Sequence, residues 1–294
     1  MATKAKTRLV PRVPRDIQKS LATSENGFVA NAATKVDEFN EFCCQLPLKY
    51  GWRFRTVDAL RAEVRDLIRS NSSPRDINEL YWRDLMGNWE AYSIMSTFRL
   101  MQFSKSCLWA LGRRDLACAC VIARAMLENS AAFVDAARTV HATISKSTPF
   151  PDLNSDFDNT FVTSTALEEY CLKVVFASRL PESDDIYSST NVLTILKRIS
   201  KNSQADFLYR TYELLSEVSH PNWAARSFHI SDSKAGDWKG NELRTITHAA
   251  DAGWPVILEP TVAALSWSSA AQISAFQLMS EAIALVLARF PESR

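Results

Sequence analysis

Seven glycines in 294 residues leave this chain few of the tight, phosphate-cradling turns on which Rossmann, P-loop and TIM-barrel designs depend. Neither GxGxxG nor a P-loop signature occurs anywhere in it. Scarce glycine favours long helices with few turns between them, and the apolar residues recur accordingly. From 76 to 111, Leu80, Leu85, Trp89, Tyr92, Met95, Phe98, Met101, Leu108 and Leu111 mark one amphipathic stripe, which Gly87 interrupts and Gly112 ends. A second stripe runs from 115 to 145 through Leu116, Cys120, Ala123, Leu127, Ala131, Val134, Ala137 and Ile144, and its many alanines let neighbours approach closely. Two long helices joined by the short Gly112-Arg113-Arg114 turn predict an antiparallel hairpin at the centre of an all-α, antiparallel helical bundle.

The flanking sequence divides around that hairpin. Residues 1–30 read as a flexible basic arm, because Lys4, Lys6, Arg8, Arg12 and Arg15 precede any acid and no apolar core of a signal peptide is present. An electrostatic contact to nucleic acid or lipid is that arm's functional alternative. Residues 31–294 read as a single helical domain, with the core hairpin at 76–146, helices over 161–220, an insertion at 223–260 and a C-terminal helix at 261–290. Shorter helices at 32–45 and 56–69 lead in, with Thr56 and Ser73 as caps and Pro74 at a helix start. Residues 148–159, with Pro149, Pro151, two Asn and three Asp, predict a surface loop. Within the insertion, Phe228 and Ile230 alternate with polar neighbours, as do Leu243 and Ile246, which predicts a small β-hairpin lying over the bundle as a lid.

Thirty-four Lys and Arg against 33 Asp and Glu cancel, so no whole-chain field points to nucleic acid, although a local patch stays open. Six cysteines without a CxxC pair sit largely in apolar helical runs, as buried reduced thiols of a cytoplasmic protein do. The apolar stretch 262–288 is long enough to span a bilayer, but Gln272, Glu281 and five serines make it a bundle helix, and no membrane segment is expected. The tryptophans on periodic stripes read as core rather than as base-stacking platforms.

Two polar pairs, each four residues apart, stand beside apolar stripes: Arg124 with Glu128, and Ser216 with His220. Pro221 disfavours the α conformation at His220 and so places that histidine at a helix end, where the last carbonyls favour an imidazolium. A cationic His220 calls for an anion, and Glu128 on the alanine-rich helix is the candidate. Ser216, one turn earlier, faces the same cleft, Arg124 completes the cluster, and Asn222 serves as a turn residue or a ligand contact. Two readings follow. The cluster is a charged clamp between helices, or Glu128 and His220 carry general acid and base chemistry while Arg124 binds an anion such as phosphate. His220, His229 and His248 with Asp232, Asp237 or Glu242 match no ligand spacing, and there is no GxSxG elbow or HExxH helix, so no metal or cofactor is expected.

Leu111-Gly112-Arg113, then the run from Ala123 to Glu128, then Tyr212 to Ser216 with His220-Pro221-Asn222, resemble uncharacterised bacterial helical proteins related to the HEPN superfamily of prokaryotic defence and toxin proteins. The resemblance covers roughly 79–222. It implies an all-α bundle that often dimerises and, in many members, a metal-independent ribonuclease whose histidine follows an arginine by a few residues near a helix end. His220 falls on that histidine. This chain departs from the pattern in having Glu213, Leu214 and Leu215 where the arginine belongs, so Arg124 would have to supply the cation from the neighbouring helix. Under the resemblance the partner is RNA, and a second copy of the chain forms a homodimer. The competing expectation is a non-catalytic module that binds a protein partner or senses a ligand, with the same residues structural.

Overall fold

Helices dominate from the first described residues to the last. The computed structural model describes residues 8–146, 156–176, 190–201, 206–231, 245–248 and 253–291. In chain order these form α1 (Arg15–Leu21), α2 (Gly27–Ala30), α3 (Ala32–Cys43), α4 (Val57–Arg69), α5 (Pro74–Gly112), α6 (Leu116–Lys146), α7 (Asp156–Asn159), α8 (Thr165–Val175), α9 (Val192–Lys201), α10 (Phe207–Ser219), α11 (Trp223–Ser227), β1 (Ile230–Ser231), β2 (Thr245–Ile246) and α12 (Trp254–Leu287). Among the described residues the protein is all-α apart from one two-rung antiparallel ladder, which pairs Ile230 with Ile246 and Ser231 with Thr245. Leu243, part of the predicted hairpin, lies outside the described residues.

The residues group into two compact units, 1–46 with 97–132 and 192–273, and 47–96 with 133–191 and 274–294. In the first, α12 is buried on every side from Thr261 to Ser269. Gln272 donates to the Thr97 hydroxyl at 2.9 Å within that interior. The α5–α6 connection is tight. Gly112 ends α5, Arg114 takes φ 55°, and the Asp115 amide returns to the Ala110 carbonyl at 2.9 Å. Asp115 then accepts the Cys118 amide at 3.2 Å, satisfying an orphan donor at the start of α6.

Three expectations need correction in this region. From Arg8 onward the N-terminal segment is folded rather than a flexible arm: Val10, Val13 and Ile17 are buried, and both the Leu9 and Val10 amides donate to Asn40 Oδ1 at 2.9 Å. Ile17 is buried from α1, while Val10 and Val13 are buried from the non-helical chain before it, so packing outweighs the charges there. Gly87 does not interrupt α5, because one glycine costs only about 1 kcal/mol of helix propensity against the packing of 39 residues. The last helix begins at Trp254 rather than 261, so the insertion is shorter than 223–260. Pro255 sits in the first turn, where no amide partner is needed, and Pro260 forfeits a single bond within a segment that burial holds helical.

In the second unit the first half of α5 is tied to the chain after α6 by buried amide and indole groups. Asn78 Nδ2 donates to the Phe157 and Thr160 carbonyls, both at 2.8 Å, and its Oδ1 accepts the Val162 amide. Trp82 Nε1 donates to the Val162 carbonyl at 3.1 Å. The final residues of the predicted 148–159 loop therefore form a helical turn, α7, with Phe157 buried; residues 148–155 lie outside the described set. Both expected caps are present: Thr56 accepts the Ala59 amide, and Ser73 exchanges hydrogen bonds with Asp76. By length and composition α6 and α12 are apolar enough to cross a membrane, a measure that buried core helices also meet.

Candidate functional site

Four-residue spacing puts Cys120, Arg124 and Glu128 on one face of α6. The same spacing puts Tyr212 and Ser216 on one face of α10, with His220 as its C-cap. His220 is extended (φ −93°, ψ 160°), the conformation that Pro221 demands of its predecessor. The two faces meet within the first unit. Arg124 Nη1 lies 3.2 Å from His220 Nε2, and Arg124 Nη2 donates to the Tyr212 hydroxyl at 3.2 Å. The Tyr212 hydroxyl donates in turn to Glu128 Oε1 at 2.9 Å, and Arg124 Nε stands 3.2 Å from the same oxygen without the alignment of a hydrogen bond. The guanidinium also lies over the Tyr212 ring, 5.3 Å from its centroid.

This geometry changes the expected role of the histidine. Arginine carries only donors, so a hydrogen bond in this contact requires Nε2 as the acceptor, with the ring proton on Nδ1. His220 therefore meets Arg124 rather than Glu128. The carboxylate reaches it only through Tyr212 and Arg124. His220 is exposed and Tyr212 is 5% exposed, so the imidazole faces solvent while the tyrosine anchors the network from below.

Arg124, Glu128 and His220 are therefore brought together, whereas Ser216 and Asn222 are not part of the same network. The Ser216 hydroxyl is buried with no hydrogen-bond partner, and Asn222 spends its amide on Glu217 Oε2 at 2.7 Å, acting as the turn between α10 and α11. Tyr212 was missed, although its position eight residues before His220 places it on the same face. Cys120 lies below Arg124, with Sγ 3.5 Å from the Leu215 carbonyl. Burial pushes its thiol up to about 11, opposed by a Ser219 hydrogen bond and the Arg124 charge.

Among the described residues no three His, Cys, Asp or Glu side chains gather as metal ligands. His229 Nδ1 instead lies 3.2 Å from the Thr247 carbonyl, and Asp232, Asp237 and Glu242 are outside the described residues. No family model, curated protein or solved structure matches this chain.

Proposed function

We propose that the chain is a HEPN-like, metal-independent ribonuclease of the cytoplasm, of the defence or toxin type, with RNA as its substrate. One observation carries the reading. The histidine has no arginine a few residues upstream on its own helix, where Arg210 stands ten residues away, yet it has the guanidinium of Arg124 at 3.2 Å from the next one, and it is open to solvent. An exposed imidazole beside a guanidinium sets a candidate general base next to an anion site. An RNA phosphate would draw Arg124 Nη1 away and free Nε2. Nε2 then takes the proton of the 2'-hydroxyl, the 2'-oxygen bonds to phosphorus, and the bond to the 5'-oxygen breaks. The imidazolium returns its proton to that leaving oxygen. The products are a 2',3'-cyclic phosphate and a 5'-hydroxyl. Glu128 and Tyr212 hold the guanidinium in place.

The test is cleavage of mixed and defined single-stranded RNA in the presence of chelator. His220→Ala should abolish cleavage while unfolding stays cooperative, and Arg124→Ala should depress it strongly. Equal activity of wild type and His220→Ala would sink the reading. The closed Arg124, Tyr212 and Glu128 loop favours a second reading, a structural clamp in a non-catalytic module. In that case Tyr212→Phe and Glu128→Gln should be strongly coupled in stability and no RNA should be cut.

A further inference from the structure

The second unit contains a cavity that the nuclease reading does not use. An outer cleft of about 480 Å³ and an inner chamber of about 60 Å³ share Arg55, Thr56, Val57, Leu172 and Phe176 as walls. The outer volume is that of a small-molecule site. Its side is aromatic. Phe54 and Phe176 lie 5.8 Å apart between centroids, and Trp52 backs both, at 5.2 Å from Phe54 and 6.3 Å from Phe176. Phe54 stays 53% exposed at the mouth. The inner chamber has room for a small polar head and is lined by Tyr81, Asp84, Asn88 and Glu168.

Charge decides what such a cleft accepts. Among the described residues lining it Arg55 is the one cation, and it is already engaged, with Nε donating to Glu63 at 3.0 Å and Nη1 to Asp84 at 2.8 Å. With Asp84 and Glu168 in the chamber and Asp58 at the mouth, the described lining sets three carboxylates against one guanidinium, a formal charge of −2, while Glu63 lies outside the lining and is shared with Arg53. Among the described residues Glu168 meets Tyr81 only at 3.5 Å, which leaves much of its acceptor capacity to a ligand. The buried Cys171 thiol senses the same field: burial raises it to about 12, and Asp84 and Glu168 push it the same way.

We propose that this cleft binds an organic cation with an aromatic or apolar body, its ammonium head in the inner chamber against Glu168 and its body along the Phe54 and Phe176 wall. The wall supplies apolar burial and ring faces for the cation, while the carboxylate excess rejects anions. The inference is independent of the ribonuclease reading.

The full chain should be titrated with phenethylammonium, 2-phenylethanol and phenylacetate by calorimetry, with saturation-transfer NMR reading the ring protons. Phenethylammonium should bind saturably, the neutral alcohol about tenfold or more weaker, and phenylacetate not at all. Glu168→Gln should bring the cation down to the level of the alcohol without moving the alcohol. Phe54→Ala, at an exposed position, should weaken both. Circular dichroism confirms that each variant is folded. Binding of phenylacetate as tight as that of the amine, no saturation by the amine up to about 10 mM, or an amine affinity unchanged in folded Glu168→Gln each overturns the proposal.

Discussion

Each unit holds an arginine surrounded by a tyrosine or carboxylates, and the two are wired in opposite ways. Arg55 in the second unit is nearly enclosed, at 11% exposure, and is neutralised by two carboxylates. Arg124 in the first has one carboxylate, one phenol and one exposed imidazole. A buried thiol beside each reports the local field. Burial raises both; the Asp84 and Glu168 charges push Cys171 further up, whereas a Ser219 hydrogen bond and the Arg124 charge hold Cys120 back. An arginine locked between acids specifies structure, and one whose tip meets an exposed side chain keeps a donor it can turn toward an incoming anion.

The comparison is most easily broken by stability. Asp84→Ala leaves a buried guanidinium with only the half-exposed Glu63, so it should cost about 3–5 kcal/mol in urea unfolding. Glu128→Ala, at a pair open to solvent, should cost about 1 kcal/mol or less. Equal costs would mean that both arginines are clamps. Next in size is Tyr212→Phe, which removes the hydroxyl that links Arg124 to Glu128 and should cost about 1–2 kcal/mol. On the nuclease reading it also lowers RNA cleavage, because the guanidinium loses its anchor. Unchanged cleavage with lost stability would move the network to the structural side.

The helical architecture was legible because its signals are local. The α5–α6 hairpin follows from stripe periodicity and a turn residue, and the position of His220 follows from Pro221. Arg124, Glu128 and His220 were legible as a cluster because each lies on a face marked by four-residue spacing. The hydrogen-bond wiring was not, since it depends on which side chain wins a shared acceptor. Tyr212 takes Glu128 Oε1 and leaves the histidine to Arg124. The second-unit cleft was equally hidden, because its residues come from separate stretches, at 54–58, 81–88 and 168–176, with no common periodicity. The folded segment from Arg8 was obscured by charges that composition weighs and packing does not.

A smaller effect sharpens the contrast in field. A thiol whose pKa is raised by folding retains its proton in the native state after the unfolded chain has lost it. Its contribution is complete below the unfolded value, near 9, and is lost as pH rises toward the folded value. The urea midpoint should therefore fall above about pH 9, by on the order of 1 kcal/mol per thiol at about pH 10. Cys171→Ala should remove more of the drop extending to the highest pH than Cys120→Ala does, because the folded values are about 12 and about 11. If the two variants behave alike, the opposing fields around the two arginines are too weak to distinguish them.

The smallest expected change in stability belongs to His220→Ala, and it separates function from architecture most cleanly. The imidazole is exposed, caps its helix through backbone conformation rather than its side chain, and accepts one hydrogen bond from a guanidinium that solvent can satisfy. Its removal should therefore shift the unfolding free energy by no more than about 0.5 kcal/mol. Under the ribonuclease reading the same substitution removes the base and abolishes cleavage. A residue that is nearly silent in stability yet decisive in activity is performing chemistry. If His220→Ala instead destabilises as much as Tyr212→Phe, the contact at 3.2 Å is part of the clamp, and the two arginines differ in exposure alone.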